Sequence, residues 1–371
     1  MTLADIPTPA LLVDVAALNR NITTMARFFS EGSCRLRPHF KAHKTPEIAK
    51  RQLAAGSCVG LTCATVSEAE IAATFCDDIL IANEIIGADK CARVALLARG
   101  AGVHGPRNIT IAIDSEEGLK QMAAAIADRE GPRRSEPDPL IGILVDINVG
   151  QNRCGVAPGA DALALAQRVA ATTGVRLRGV MGYEGHLQPI PDRAEREHKA
   201  SAAMADLVAT AHLLQQAGLP CEIVSGGGTG TFDISGRVPG VTEIQAGSYA
   251  LMDTDYARLN LPFEHAFSVL GTVVSTPRDG YCVADCGHKS TTKDHGLPSV
   301  KGIPGATVVL LNDEHAGIAL PQGSALKIGD RIELWPSHTD PTVNLHDLFY
   351  AVENGRVVDI WPIAARGYRN R

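Results

Sequence analysis

Aromatic side chains make up only 4% of the 371 residues, and basic residues never gather into a long run. Lysine and arginine together number 35 against 41 aspartates and glutamates, giving a net charge of −6. Nucleic-acid binding draws on stacking rings and a cationic face, so that class of partner is not expected. The nine cysteines (34, 58, 63, 76, 91, 154, 221, 282, 286) are odd in number, scattered, and free of any C-x-x-C pair. Such spacing does not read as a disulfide framework and suits a reducing cytosol. The segment MTLADIPTPALLVDVAALN lacks a basic stretch followed by an apolar core, so no signal peptide is expected. No apolar run approaches the roughly 18 residues of a membrane helix. A soluble, cytoplasmic globular protein without membrane contact is the expectation.

What is present is enough hydrophobic residue (45%) against charge (20%) for a sizeable core. From residue 35, short β-rich runs alternate with helix-period segments. The runs are 35–42, 60–65, 78–85, 108–114, 141–148, 177–184, 221–226 and 243–250. Between them lie TPEIAKRQLAAG, TVSEAEIAATF, DKCARVALLARG, SEEGLKQMAAAIADRE, ADALALAQRVAATTG and AEREHKASAAMADLVATAHLLQQAG, several opening on a capping Ser, Thr or Asp. Eight such units spell an α/β fold, a (β/α)8 TIM-type barrel, over 15–262. Beyond it, FSVLGTVVST, YCVADCG, ATVVLLND, GDRIELWP and LFYAVENGRVVDIWPIAARG are short, β-branched and broken by Gly, Pro, Asn or Asp. They predict an all-β domain over 263–371, with 1–14 packed on it.

Barrel chemistry gathers at the carboxyl ends of the strands. The first run ends in RPHFKAHK, where strand alternation puts Lys41 and His39 on one face. A lysine desolvated at a barrel mouth can act as a Schiff-base nucleophile. The seventh run ends in VSGGGTGTF, whose Gly227, Gly228 and Thr229 could turn backbone amides toward an anion. The eighth adds Gln245, Gly247, Ser248 and Tyr249. DINVGQNRCGV places Arg153 past the fifth strand, where a guanidinium could meet a phenolate oxygen. GYEGHLQ offers Tyr183 and His186 to a flat ring.

Taken together, TPALLVD, PHFKAHK, VSEAEIA, GQNRCGV, GGGTGT, EIQAGSYALMDTDY and SHTDPTVNLHD occur in order along the whole chain. In this they resemble pyridoxal-phosphate enzymes of the alanine-racemase-type (fold type III) barrel, and more narrowly the D-threonine aldolase and D-serine dehydratase group. The resemblance implies pyridoxal phosphate on Lys41 rather than Lys44, with Arg153 facing the ring hydroxyl. It puts the phosphate at Gly227, Gly228, Thr229, Gly247, Ser248 and Tyr249, and implies a homodimer with shared active sites. Where the dehydratases read H-x-C, this chain reads S-H-T-D-P, making His338 and Asp340 the implied metal ligands. A carboxylate in place of a thiolate is the harder ligand and favours manganese, magnesium or cobalt over zinc. On a strand those two residues would share a face.

The implied reaction is retro-aldol cleavage of a D-β-hydroxy amino acid to glycine and an aldehyde, with a metal at the β-hydroxyl. His186 and His315 are both candidates for the base that takes the hydroxyl proton. The alternative is a metal-dependent dehydratase of D-serine or 3-hydroxyaspartate, giving a 2-oxo acid and ammonia.

Overall fold

The computed structural model describes residues 1–100, 107–128, 141–324 and 326–367. They form two compact units, one built from 26–41 and 52–247, the other from 1–25, 42–51 and 248–367.

The first unit holds eight strands: Arg35–Leu36 (β1), Leu61–Cys63 (β2), Asp78–Glu84 (β3), Asn108–Ile113 (β4), Ile141–Asp146 (β5), Val175–Gly182 (β6), Ile223–Gly226 (β7) and Glu243–Ile244 (β8). Every ladder is parallel and each strand neighbours its successor, with β8 returning to β1. Parallel bridges Leu36↔Cys58 and His39↔Thr62 close the ring between β1 and β2. The (β/α)8 barrel read from the sequence is the fold. Its first and last strands are shorter than expected, because the chain passes into the 3-10 turns Phe40–Ala42 and Ser248–Ala250.

Helices Val66–Ala72, Glu116–Ala127 and Arg193–Gln216 start as their sequences suggest. Thr65, Ser115 and Asp192 each accept a hydrogen bond from the amide three residues on. Each such cap stabilises by about 0.5–2 kcal/mol. Leu80, Ala112, Leu144, Met181 and Ile223, one from each of β3 to β7, form a buried cluster. Their sequence neighbours Ile79, Ile81, Ile111, Ile143 and Val180 are also buried. Burial on both faces explains the continuous apolar runs of these strands.

Arg37 is 3% exposed and pairs with Glu243 at 2.9 Å and Asp78 at 2.6 Å. Gly60 makes room for it. With φ +143°, a Cβ there would lie 2.3 Å from the Asp78 carbonyl and 2.5 Å from the guanidinium. Deleting Glu243 would leave the buried guanidinium with only the part-exposed Asp78 as partner and would destabilise the barrel.

The second unit is a nine-stranded sheet. Strands Tyr281–Ala284, Ala316–Ala319, Thr307–Leu311, Ser299–Val300, Arg331–Trp335 and Phe267–Arg278 follow one another, and the first pairs back to the last. The strand Ala10–Asp14 then joins Phe267–Arg278 antiparallel and Leu348–Glu353 parallel, with Arg356–Pro362 at the edge. Buried Asn21 ties the first half of helix Val15–Ser30 to the same unit. It donates to the carbonyls of Ala250 (3.1 Å) and Glu264 (2.8 Å) and accepts from the Glu264 amide (2.8 Å). These bonds join the start of the helix to Ala250 and Glu264 within the one unit. Among the described residues no helix is long and apolar enough to cross a membrane.

Candidate active site

Lys41 follows β1, half-buried in the 3-10 turn, with its amide donating to Nδ1 of His39 at 3.4 Å. Strand alternation therefore does not apply to it. The ladder runs on only through Arg37 to the Ile244 carbonyl and His39 to the Ala246 carbonyl before the chain turns. Lys44 is 7% exposed and holds a left-handed φ of +53°.

On the far side of the same barrel mouth, the loop after β5 and the turn after β6 come together. The Arg153 guanidinium carbon stands 5.9 Å from the centre of the Tyr183 ring. The exposed His186 ring comes within 3.3 Å of where a Cβ on Gly150 would sit, and Gly150 has φ +110°. The structure thus sets Arg153 against Tyr183, and His186 against Gly150 of the Arg153 loop. Beneath them lies an acidic group that the sequence reading missed. Ligand atoms of Glu84, Asp114 and Cys154 lie within 4.8 Å of one another. The Asp146 carboxyl beside them is pushed up to about 8, first by burial, then by the charge and hydrogen bond of Glu84 and the charge of Asp114, against the pull of Arg153.

The glycine-rich loop follows β7. Gly227 takes the left-handed φ of +71°, and a Cβ there would meet Ile244 at 2.6 Å. Its amides do not splay toward one point. Gly227 donates to Glu184 (3.1 Å), Gly228 to Thr231 (3.2 Å) and Gly230 to Gln188 (2.7 Å). Gln245, 8% exposed, donates to the Ser225 hydroxyl at 2.9 Å, and Gly247 is buried. Ser248 and Tyr249 belong to the other unit, where Tyr249 is wholly buried, its ring 5.5 Å from Phe263.

In that unit His338 and Asp340 are not on a strand. His338 is the extended N-cap of helix Thr339–Asn344 and Asp340 lies in its first turn, so the shared strand face does not exist. His338 instead meets Asp294 and His295, with ligand atoms of all three within 4.8 Å; Asp340 is not a member of that group. The two imidazoles stack at 4.0 Å and 10°. His338 Nδ1 is 2.5 Å from Asp294, and His295 Nδ1 is 2.9 Å from Asp255. Nδ1–H donated to a carboxylate leaves Nε2 with its lone pair, as metal-binding histidines require. Buried Asp253 accepts from the Thr339 amide (2.8 Å) and hydroxyl (2.9 Å), fixing the start of the helix. His315 is exposed elsewhere in this unit, lining a 440 Å³ cavity with His288 and Lys293.

The donors present fit the groups implied. An amine and a guanidinium over an aromatic ring at one barrel rim suit an aromatic aldehyde bearing a phenolic oxygen. Imidazole and carboxylate together suit a divalent cation.

Residues 13–255 match the family model of the alanine racemase N-terminal domain, and 266–352 match a putative serine dehydratase domain. A D-threonine aldolase of Arthrobacter sp is 40% identical over 99% of this chain and 94% of its own length. A 3-hydroxy-D-aspartate aldolase of Paracoccus denitrificans is 34% identical over 98% and 93%. The crystal structure of D-threonine aldolase from Filomicrobium marinum superposes with a TM-score of 0.92 at 39% identity, covering 99% of this chain and 97% of that one. The chain belongs to the alanine-racemase-type barrel family, in the branch that carries a serine-dehydratase-type second domain.

Proposed function

We propose that this chain is a lyase cleaving D-configured β-hydroxy amino acids of the D-threonine type to glycine and an aldehyde, using pyridoxal phosphate and a divalent metal. The observation that carries it is the set of side chains at one barrel rim: Lys41 after β1, Arg153 over Tyr183, His186 beside Gly150, and the glycine loop after β7. The 40% identity to a D-threonine aldolase over nearly the whole chain supports the same reading. Fold type III membership implies pyridoxal phosphate, which when bound supplies a sink for the electrons of a breaking carbon–carbon bond.

Lys41 would hold that cofactor through its amine, and Arg153 would neutralise the ring oxygen. Gly227, Gly228, Thr229, Gln245, Gly247, Ser248 and Tyr249 would line its phosphate. His338 and Asp340 would hold the metal, manganese above zinc because a carboxylate is the harder donor. A histidine, His186 or His315, would remove the proton from the substrate's β-oxygen. The rim position of His186 beside Gly150 favours it. The resemblance supports a homodimer with shared sites, and nine free cysteines suit the cytoplasm.

The test is to incubate the protein with D-threonine, L-threonine and D-serine, with and without manganese, and identify products. Glycine and acetaldehyde are expected from D-threonine alone. Cleavage needs Cα–Cβ perpendicular to the ring while the hydroxyl meets a fixed metal, which only one α-configuration allows. A 2-oxo acid and ammonia would point to the dehydratase instead. Borohydride should fix cofactor to wild type and to Lys44→Ala, and not to Lys41→Ala.

A further inference from the structure

The turn after β6 and the loop after β7 are joined by side chains that no part of the reaction uses. Glu184 is fully buried, and both its oxygens accept. Oε2 takes the Gly227 amide at 3.1 Å, and Oε1 takes the hydroxyls of Thr231 at 2.6 Å and Ser235 at 2.7 Å. Thr231, also fully buried, accepts in turn from Gln188 Nε2 at 2.8 Å and from the Gly228 amide at 3.2 Å. Gln188 Oε1 completes the circuit by accepting from the Gly230 amide at 2.7 Å. Thr231 therefore uses its one donor and both lone pairs. The amides of Gly227, Gly228 and Gly230 are all committed to this network.

A buried carboxylate costs desolvation, and its charge opposes an anion held nearby. Its presence calls for a task that outweighs both costs. Steric fit points to that task. A Cβ on Gly228 would lie 2.7 Å from Gln188 Oε1, and one on Gly230 would lie 2.6 Å from the Gln188 carbonyl. The loop is moulded onto residues 184–188, and the left-handed Gly227 is clamped by Glu184 itself. Glu184 and Gln188 also bracket the one-turn helix Gly185–Leu187 that carries His186. One carboxylate thus sets the loop and the histidine in a single register.

We propose that Glu184 is a positioning residue which, through Thr231 and Gln188, pre-forms the glycine loop as a phosphate cradle. This rests on the reading that the loop receives the cofactor phosphate. Pre-forming a loop lowers the ordering cost of binding, so its loss shows as affinity for the group the loop contacts. Glutamine in place of Glu184 would turn an amide donor toward Thr231 or Gly227, both already donating to that position.

The experiment measures binding of pyridoxal phosphate and of pyridoxal, which lacks the phosphate, to the full chain stripped of cofactor. Wild type, Glu184→Gln and Thr231→Val are compared, with thermal melts in parallel. Wild type should prefer the phosphorylated form, and inorganic phosphate should compete for it. Both variants should bind pyridoxal phosphate at least 10-fold more weakly and pyridoxal as wild type does. The double variant should be little worse than either single one. An equal loss for both ligands, or wild-type preference in both variants, overturns the proposal and leaves a purely structural network. If wild type itself shows no preference for the phosphorylated form, the phosphate reading of the loop fails first and takes the proposal with it. Thr231→Val removes the hub without altering charge, so it decides the question if Glu184→Gln does not fold.

Discussion

A carboxyl surrounded by other carboxyls away from water keeps its proton, and Asp146 is such a group. Burial, Glu84 and Asp114 hold it up to about 8, while Arg153 is the cation that opposes them. An unfolded aspartate releases its proton near 3.8. Between those two values the folded chain carries the extra proton, so stability falls as pH rises from about 4 to 8 and is greatest below that window. Asp146→Asn cannot ionise and should flatten this slope, gaining ~1–3 kcal/mol at pH 8 and little at pH 5. Urea midpoints at pH 5, 6.5 and 8 give the comparison. Parallel curves for wild type and variant would assign the slope to another group. Asp146 was invisible in the sequence because a carboxyl at a strand end gives no sign of what stands across the barrel. Lys41, Arg153 and the glycine loop stood out because they sit in motifs whose order along the chain is distinctive. The turn that carries Lys41 and the inward bonds of the Gly227 and Gly230 amides depend on residues distant in sequence.

The short helix Thr339–Asn344 shows where local pattern misled. Pro341 fits the first turn of a helix, which begins at Thr339 after the N-cap His338. Treating it as a strand put His338 and Asp340 on a shared face that does not exist. The neighbours His338 does have, Asp294 and His295, come from a segment with no strand or helix pattern, and only the adjacent D-H pair hinted at them. Strands Ser299–Val300 and Ala316–Ala319 were missed for a similar reason, being two and four residues long. This geometry sets two carboxylates against each other as metal ligands. His338→Ala should leave the protein with almost no bound manganese by elemental analysis. Asp340→Ala should do the same, whereas Asp294→Ala, which removes the partner of the His338 ring, should weaken binding about 10–100-fold. If Asp294→Ala empties the site and Asp340→Ala does not, Asp294 is the ligand and the H-x-D reading is wrong.

Barrel and β-unit together were legible because alternating and all-β textures differ so plainly along the chain. What sequence order could not show is how far apart the partners of the second sheet lie. Ala10–Asp14 sits inside that sheet, with Leu11 opposite Val269 on one side and Phe349 on the other. Its residues Ala10 to Val13 are all buried. Removing 1–14 would expose two long neighbouring strand edges together with the apolar surface this strand covers. The truncated chain should lose its cooperative thermal transition and accumulate as aggregate. A soluble truncated protein melting within a few degrees of wild type would show the strand to be dispensable.

That placement also fixes an order of events on the ribosome. Residues 26–41 and 52–247 have emerged, with every strand of the barrel, well before Phe349 is made. At ~5–20 residues per second this leaves many seconds in which ALLVD is outside the tunnel without the strands it must lie between. Its early neighbours in the nascent chain belong to another sheet, so the segment must be held back from pairing with them. An apolar strand made ahead of the whole barrel is thus among the last segments to find its place.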